Sequence, residues 1–302
     1  MRAPSHRARA VLAATLCSLV IAAGVALAQP GPGQRPGGGP PRQQKPDKKQ
    51  VLVWCDTTGG GAYHESVTHA MTVIEKLGRE SGLWDTYIRT DSQLITKQKI
   101  VVNADGRDWP NNKNLDWFDA IFFCGLREVP MSDQQFADLM SFIKDDGKGF
   151  VAAHTAITAF VRYPEYAKML GSSYDSHPWN QVEAKIIVED PAFPAVKHFP
   201  PTFTFKDEMY QVKDFSRSES RVLMRLDPAS VDLKNPNVHR TDGDFPQAWV
   251  KPYGKGRVFV CAFGHDASTW DRPEIQTMWL EALKWTLKLT DADITPRPLP
   301  TP

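Results

Sequence analysis

Gly147-Lys148-Gly149-Phe150-Val151-Ala152-Ala153-His154-Thr155-Ala156 decides the reading of this chain. A short apolar run of small and aromatic residues stops abruptly at a histidine, and glycines separate it from a helix-like stretch upstream. That order predicts a helix, a tight turn, a buried strand and a polar residue at the strand's carboxyl tip. In open α/β sheets, ligands collect beyond the carboxyl ends of the strands. His154 therefore stands where chemistry is expected.

Outward from this stretch, the same rhythm repeats. Gln50–Cys55 reads as an apolar strand followed by a polar, glycine-rich loop, Asp56–Ala62. Tyr63-His64-Glu65 then opens a helix through His69, Val73, Ile74 and Leu77. Trp84–Arg89 is a more alternating strand, and Asn103–Asn114 reads as a long polar loop. Phe118–Cys124 is the next buried strand. Ser132 caps a helix with Gln135 at its third position and Phe136, Leu139, Met140 and Ile143 as its apolar stripe.

Alternating strands and helices predict a doubly wound, mostly parallel sheet covered on both faces. After a helix over Tyr163–Leu170, stopped by Gly171, the rhythm changes. Val182–Val188, Thr202–Phe205, Met209–Val212 and Arg221–Leu226 are strand-like without long helices between them, which predicts an antiparallel extension. The doubly wound pattern is expected to return with Gln247–Val250, Arg257–Phe263 and a closing helix over Glu274–Leu289.

The ends of the chain read differently. A basic head (Arg2, His6, Arg7, Arg9), an apolar body (Val11–Leu27) and Ala26-Leu27-Ala28 predict a signal peptide over residues 1–28, cleaved after Ala28. An uncleaved anchor is the alternative. Gln29–Lys49 is rich in Pro, Gly, Gln and Lys and is expected to be a disordered tether. The domain is expected over 50–290, with a loose Pro-rich tail over 291–302. Export implies a periplasmic or secreted protein with no integral membrane segment once the signal is removed. The 302 residues carry a formal net charge of +1, which gives no electrostatic preference for nucleic acid or anionic membranes. Cys55, Cys124 and Cys261 lie in strand-like runs and are expected to be buried thiols. A Cys55–Cys124 disulfide is conceivable, but an odd count without framework spacing argues against a disulfide scaffold.

Polar residues cluster at the predicted strand tips: His64, His154, His177, Asp207-Glu208 and His265. Histidine is both a common metal ligand and the natural acid–base near neutral pH. Several histidines with a carboxylate suit Zn²⁺, Mn²⁺, Fe²⁺ or Ni²⁺ with positions left for substrate. The same positions also suit hydrogen-bonded packing residues, and their spacing matches no short metal signature. His69, His198 and His239 are assigned no role. Gly59-Gly60-Gly61 lacks dinucleotide spacing and no P-loop is present, so no nucleotide cofactor is expected. Trp179, Trp249 and Trp270 are placed to stack on a sugar or to pack the core.

The ordered set resembles the trehalose-utilisation (ThuA-like) family. It comprises the glycine loop with Tyr63-His64, Gly149–Ala156, Leu170–Trp179, Asp207-Glu208-Met209-Tyr210, and Trp249…Tyr253-Gly254-Lys255-Gly256-Arg257-Val258-Phe259…Gly264-His265. The resemblance spans nearly the whole domain. It implies a flavodoxin-like fold similar to class I glutamine amidotransferases, and a role in sugar metabolism beside oxidoreductases that make 3-keto-sugars. Where those amidotransferases carry a cysteine nucleophile, this chain has His154, so glutaminase activity is not expected.

The expected activity is instead metal-assisted lyase, hydrolase or isomerase chemistry on (3-keto-)glycosides, by proton abstraction next to a carbonyl. His154, His177, Glu208 and His265 are the expected metal ligands, and His64, His154 and Glu208 the expected catalytic groups. Tyr63, Trp179, Tyr210 and Trp270 are expected to contact a small sugar or glycoside. The alternative is a non-catalytic carbohydrate-binding domain on the same fold.

Overall fold

A computed structural model of the chain describes residues 44–59, 64–104, 107–111 and 113–300, with the backbone alone for 102–104 and 107–111. The expected signal peptide, most of the tether, and the loop residues 60–63 lie outside the described residues. The described residues fall within one compact unit.

Strand β1 (Lys49–Trp54) is buried at every position after the first. Helix α1 (Ser66–Ser81) lays Val67, Ala70, Val73, Ile74 and Leu77 on the sheet and stops at Gly82, whose φ of 69° suits a residue without a Cβ. β2 (Trp84–Arg89) is a half-exposed edge strand. β3 (Ile100–Ala104) and β4 (Arg107–Asn111) form a separate antiparallel hairpin. That corrects the expected loop over Asn103–Asn114, whose polar composition and Pro110 masked a strand. β5 (Ala120–Phe123), α2 (Asp133–Lys144) and β6 (Gly149–Ala153) follow as expected, with Ser132 and Gln135 closing a reciprocal capping box. α3 (Pro164–Leu170) ends at Gly171, φ 83°.

The next strands are β7 (Ser173–Ser176), β8 (Gln181–Val188), β9 (Thr202–Glu208), β10 (Gln211–Lys213), β11 (Arg221–Leu226), β12 (Pro246–Tyr253) and β13 (Gly256–Cys261). Helices α4 (Ala267–Asp271) and α5 (Pro273–Thr286) complete the order.

Nine of these strands form one sheet, ordered β2-β1-β5-β6-β13-β12-β11-β8-β9. β2, β1, β5, β6 and β13 run parallel, which is the flavodoxin-like order with its switch point between β1 and β5. β12, β11, β8 and β9 continue antiparallel. Placing Gln247–Val250 in the returning parallel half is therefore corrected. Gly254-Lys255 joins β12 to β13 by a two-residue turn with Gly254 at φ 57°, and so short a connection allows only antiparallel pairing. β7 and β10 form a small ladder apart from the main sheet.

Alternation along β1 shows how the core divides. Val51 and Val53 pack with Ile74, Met278 and Trp279 on one face; Leu52 and Trp54 pack with Leu139, Ile143, Met169 and Leu170 on the other. Residues near both ends also join the folded unit. Lys45 Nζ reaches Asp119 Oδ1 at 3.0 Å, and Ala292 and Ile294 pack on the core while Thr295 accepts a hydrogen bond from Arg221 at 2.8 Å. Among the described residues, no helix is long and apolar enough to cross a membrane.

Four successive antiparallel steps from β13 return β9 to the direction of the parallel strands. Its last residue, Glu208, thus ends on the same side of the sheet as the tips of β1, β6 and β13.

Candidate metal centre

His154 follows directly on β6 and takes φ 45°, a left-handed conformation costly for a residue with a Cβ. The turn points its imidazole across the tip of β13, where Nδ1 lies 2.6 Å from the Ala262 carbonyl oxygen. A carbonyl can only accept, so Nδ1 carries a hydrogen and Nε2 is the nitrogen turned toward the site. Nε2 lies 3.2 Å from the Tyr210 hydroxyl and 3.4 Å from Glu208 Oε2.

Two further histidines converge on the same carboxylate oxygen. His265 Nδ1 lies 3.2 Å from Oε2, and His64 Nε2 lies 3.9 Å from it. The ring centroids of His64 and His265 are 4.4 Å apart, edge to face. His265 Nδ1 is buried yet makes no aligned hydrogen bond, so it faces Glu208 without being satisfied by it. One ligand atom from each of His64, His154, Glu208 and His265 fits within 4.8 Å of all the others. A tetrahedral ion with bonds of about 2.1 Å separates its ligands by about 3.4 Å. The 3.2 to 3.9 Å spacing about Oε2 brackets that separation. Donor chemistry and geometry both fit a divalent transition metal, with imidazole nitrogens suiting Zn, Fe or Ni and a carboxylate also suiting Mn.

Burial alone would push the Glu208 carboxyl up, but His154, His64 and His265 around it hold it well below the usual carboxylate range. It is an ionised carboxylate. Burial, reinforced by Glu208, pushes the Tyr210 phenol well above its ordinary value, so it remains a hydrogen-bond donor. Tyr174, whose ring lies 5.1 Å from that of Tyr210, is pushed up to about 12 by burial, Glu208 and Asp175.

Asp207 supports the centre from beneath. Fully buried, it accepts the backbone N–H groups of Glu208 at 2.7 Å, Gly264 at 2.9 Å and His265 at 3.0 Å, and the Thr269 hydroxyl at 3.1 Å. One carboxyl therefore fixes both the strand that carries Glu208 and the loop that carries His265, as outer partners of metal ligands do.

The family model described as ThuA, trehalose utilisation, matches residues 50–286. The chain belongs to the ThuA family. Among solved structures it is similar to a ThuA-like protein from Bacteroides uniformis ATCC 8492, at 20% identity and TM-score 0.61, covering 82% of this chain and 95% of that one. It is also similar to a ThuA-like protein from Parabacteroides merdae ATCC 43184, at 15% identity and TM-score 0.59, covering 83% and 97%. At such identities the likeness shows the fold. No curated protein matches the chain.

In this ThuA chain, four of the expected site residues meet as one cluster: His64, His154, Glu208 and His265. His177 does not join it. Its side chain is 42% exposed and its Nε2 lies 3.7 Å from Oε1, the other oxygen of Glu208. Of the expected ligands, His154, Glu208 and His265 lie in the cluster; His64, expected as a catalytic group, lies in it too, and His177 lies at its rim. Tyr210 stacks beside His154, with ring centroids 4.6 Å apart. Trp270 is enclosed in the core, 1% exposed, stacked on Trp279 at 5.3 Å and donating to the Gly264 carbonyl. It supports the His265 loop rather than offering a face to a sugar, and Trp249 is likewise fully buried. Trp179 is half-buried, with its indole N–H on the Asp232 carbonyl at 2.9 Å. Tyr63 lies outside the described residues. His69, His198 and His239 bond to Asp271, the Glu274 carbonyl and Asp175, away from the cluster.

Cys55, Cys124 and Cys261 are buried and free. Contact with Cys55 and burial push the Cys124 thiol well up, and burial does the same to Cys261. Neither resembles an activated thiolate. The role of Asp207 was missed, although it left a signal: Phe203, Phe205 and Asp207 alternate along β9, which puts a carboxyl at an inward position of the strand.

Proposed function

We propose that this ThuA-family protein is an exported, metal-dependent enzyme that acts on keto-glycosides by moving a proton next to the carbonyl. The observation that carries the reading is the convergence of three imidazoles on Oε2 of Glu208 at the carboxyl ends of the strands. His64, His154, His265 and Glu208 would hold the ion, which when bound would polarise the substrate carbonyl and offset charge building on its oxygen.

The chain's own groups supply the rest. His177 Nε2, at the rim of the cluster and 42% exposed, would take a proton from the carbon beside the carbonyl. The C–H electron pair then moves toward the carbonyl carbon. If the glycosidic oxygen lies on the carbon next to the one deprotonated, its C–O bond breaks and the oxygen leaves with the proton that His177 took. The Tyr210 ring stacks on the His154 imidazole, with centroids 4.6 Å apart, and so fixes its plane. Trp179, close to His177 in sequence, offers a half-exposed ring for a sugar face.

Elemental analysis tests this on protein purified without a metal-leaching tag. Wild type is expected to carry near-stoichiometric transition metal, His154→Ala to lose it, and His177→Ala to keep it while losing turnover of a 3-keto-glucoside. Wild type free of metal even after reconstitution would overturn the reading in favour of a sugar-binding domain. Export is tested separately by amino-terminal sequencing of the protein recovered outside the cytoplasm, which is expected to begin at Gln29. A sugar oxidoreductase that supplies the keto group is the partner this reading requires.

A further inference from the structure

The two residues on either side of His177 are all tied to one loop, residues 232–240. Asp175 Oδ2 accepts from His239 Nδ1 at 2.8 Å, and the Ser176 hydroxyl donates to the Asn237 carbonyl at 3.2 Å. Beyond His177, the Pro178 carbonyl accepts from Asn235 Nδ2 at 2.6 Å, and the Trp179 indole donates to the Asp232 carbonyl at 2.9 Å. The partners run backwards from 239 to 232, so the loop passes antiparallel to the segment. Every tie uses at least one side chain. His177 stands in the middle, its Nε2 3.7 Å from Glu208 Oε1.

Both members of this pairing are stiffened. Asp232 Oδ1 and Asn235 Oδ1 accept the N–H groups of Lys234 and Asn237 at 2.9 Å each, two turns that fix the loop locally. Asn180, at φ 50°, closes a turn on the His177 carbonyl at 2.9 Å. Between loop and segment lies Gln211, wholly buried. Its Nε2 donates to Asp175 Oδ2 at 2.5 Å and to the Ser176 hydroxyl at 3.0 Å. Its Oε1 accepts the N–H groups of His239 at 2.9 Å and Arg240 at 3.1 Å. One amide holds the segment by its nitrogen and the loop by its oxygen.

A side chain 42% exposed has little packing of its own to fix it. The place of the His177 imidazole is therefore set by the backbone on either side, which is what the loop holds. We infer that residues 232–240 are a strap that places His177 for proton transfer, with His239 and Gln211 as positioning residues. The inference rests on the role proposed for His177. His239 acts through the hydrogen on Nδ1 and exchanges no proton with substrate.

Two readouts test this on the full chain: turnover of a 3-keto-glucoside, and the rate at which diethyl pyrocarbonate modifies His177, followed by peptide mass mapping. His239→Ala, where the side chain is 57% exposed, and Asn235→Ala remove one tie each. Both are expected to lower kcat about tenfold through misplacement of the base, with KM and metal content unchanged, the pattern of an interaction made only in the transition state. Modification of His177 is expected to rise about threefold as its flanks loosen. His239→Asn, whose amide can donate to Asp175 where Nδ1 did, is expected to restore both readouts. Unchanged modification or unchanged kcat in the two alanine variants would overturn the strap. So would a His239→Asn variant as slow as His239→Ala, because the ring itself would then be needed. A wild type without turnover overturns the keto-glycoside reading instead, and the modification rates alone then decide the strap.

Discussion

The side chain of Asp207 holds the backbone of His265: Oδ1 accepts the His265 N–H at 3.0 Å and also the Glu208 N–H at 2.7 Å. Two members of the cluster from distant parts of the chain are thereby set by one buried group. Asp207→Asn replaces one acceptor oxygen with an N–H₂ that must face a backbone N–H. The expected loss is about 1–3 kcal/mol of stability and about 10–100-fold in metal affinity. Denaturant unfolding and metal titration measure the two, and an unchanged metal affinity would show that Asp207 acts on stability alone.

A metal that binds only the folded protein stabilises it by mass action. With free metal at about 100 times its Kd the gain is about 2.7 kcal/mol. For a domain of this size, chelation is then expected to lower Tm by about 5 °C or more. His265→Ala should start at the lower Tm and respond little to chelator, whereas His177→Ala should respond like wild type. Differential scanning calorimetry with and without chelator decides, and an identical response in His265→Ala would remove that residue from the ligand set.

Acid stability should depend on Asp119, far from the centre at the amino ends of β1 and β6. Burial would raise its pKa, but Lys45, the Gln50 N–H and Lys148 outweigh this and lower it. A carboxyl with a depressed folded value stabilises above its unfolded pKa of about 4 and loses that contribution as pH falls through the folded value. Asp119→Asn is therefore expected to be less stable than wild type at pH 7, by about 1–3 kcal/mol. The gap should narrow below about pH 4. A constant gap from pH 7 to pH 3 would contradict the ion-pair account.

Glycine at position 78 looks like a flaw in a helix, since alanine is better there by about 1 kcal/mol on propensity. The structure predicts the reverse. A Cβ at Gly78 would come within 2.3 Å of the Trp84 ring nitrogen, and Trp84 is 1% exposed with little room to move. Gly78→Ala is expected to destabilise by about 1–3 kcal/mol through overpacking, measured by urea unfolding. A stabilised variant would show that Trp84 can yield.

The parallel half of the sheet was legible because hydrophobic runs, caps and glycine stops coincide there, as at Gln50–Trp54, Ser132 with Gln135, and Gly149–Ala153. Strand direction was not: β12 is buried on both faces and reads like a parallel strand, and only its two-residue turn to β13 fixes its sense. At the centre, strand-tip position sufficed to pick out His64, His154, Glu208 and His265. It could not separate His64 from His177, because both lie in loops whose reach depends on packing. Trp270 was misread for a related reason. Its nearness to His265 in sequence says nothing about which way the ring turns, and Trp279, which it stacks on, arrives from the next helix.

The carboxylate of the centre is carried by β9, the strand at the far edge of the antiparallel half, while the histidines belong to loops that follow β1, β6 and β13. Those tips can form early, from contacts within the parallel half. Glu208 can reach them only after every hairpin between β13 and β9 has closed, and such distant pairings are the slow part of folding. Assembly of the centre therefore reports completion of the whole sheet. An ion that needs all four ligands would not be retained by a chain folded only halfway, so metal uptake would act as a late checkpoint on folding itself.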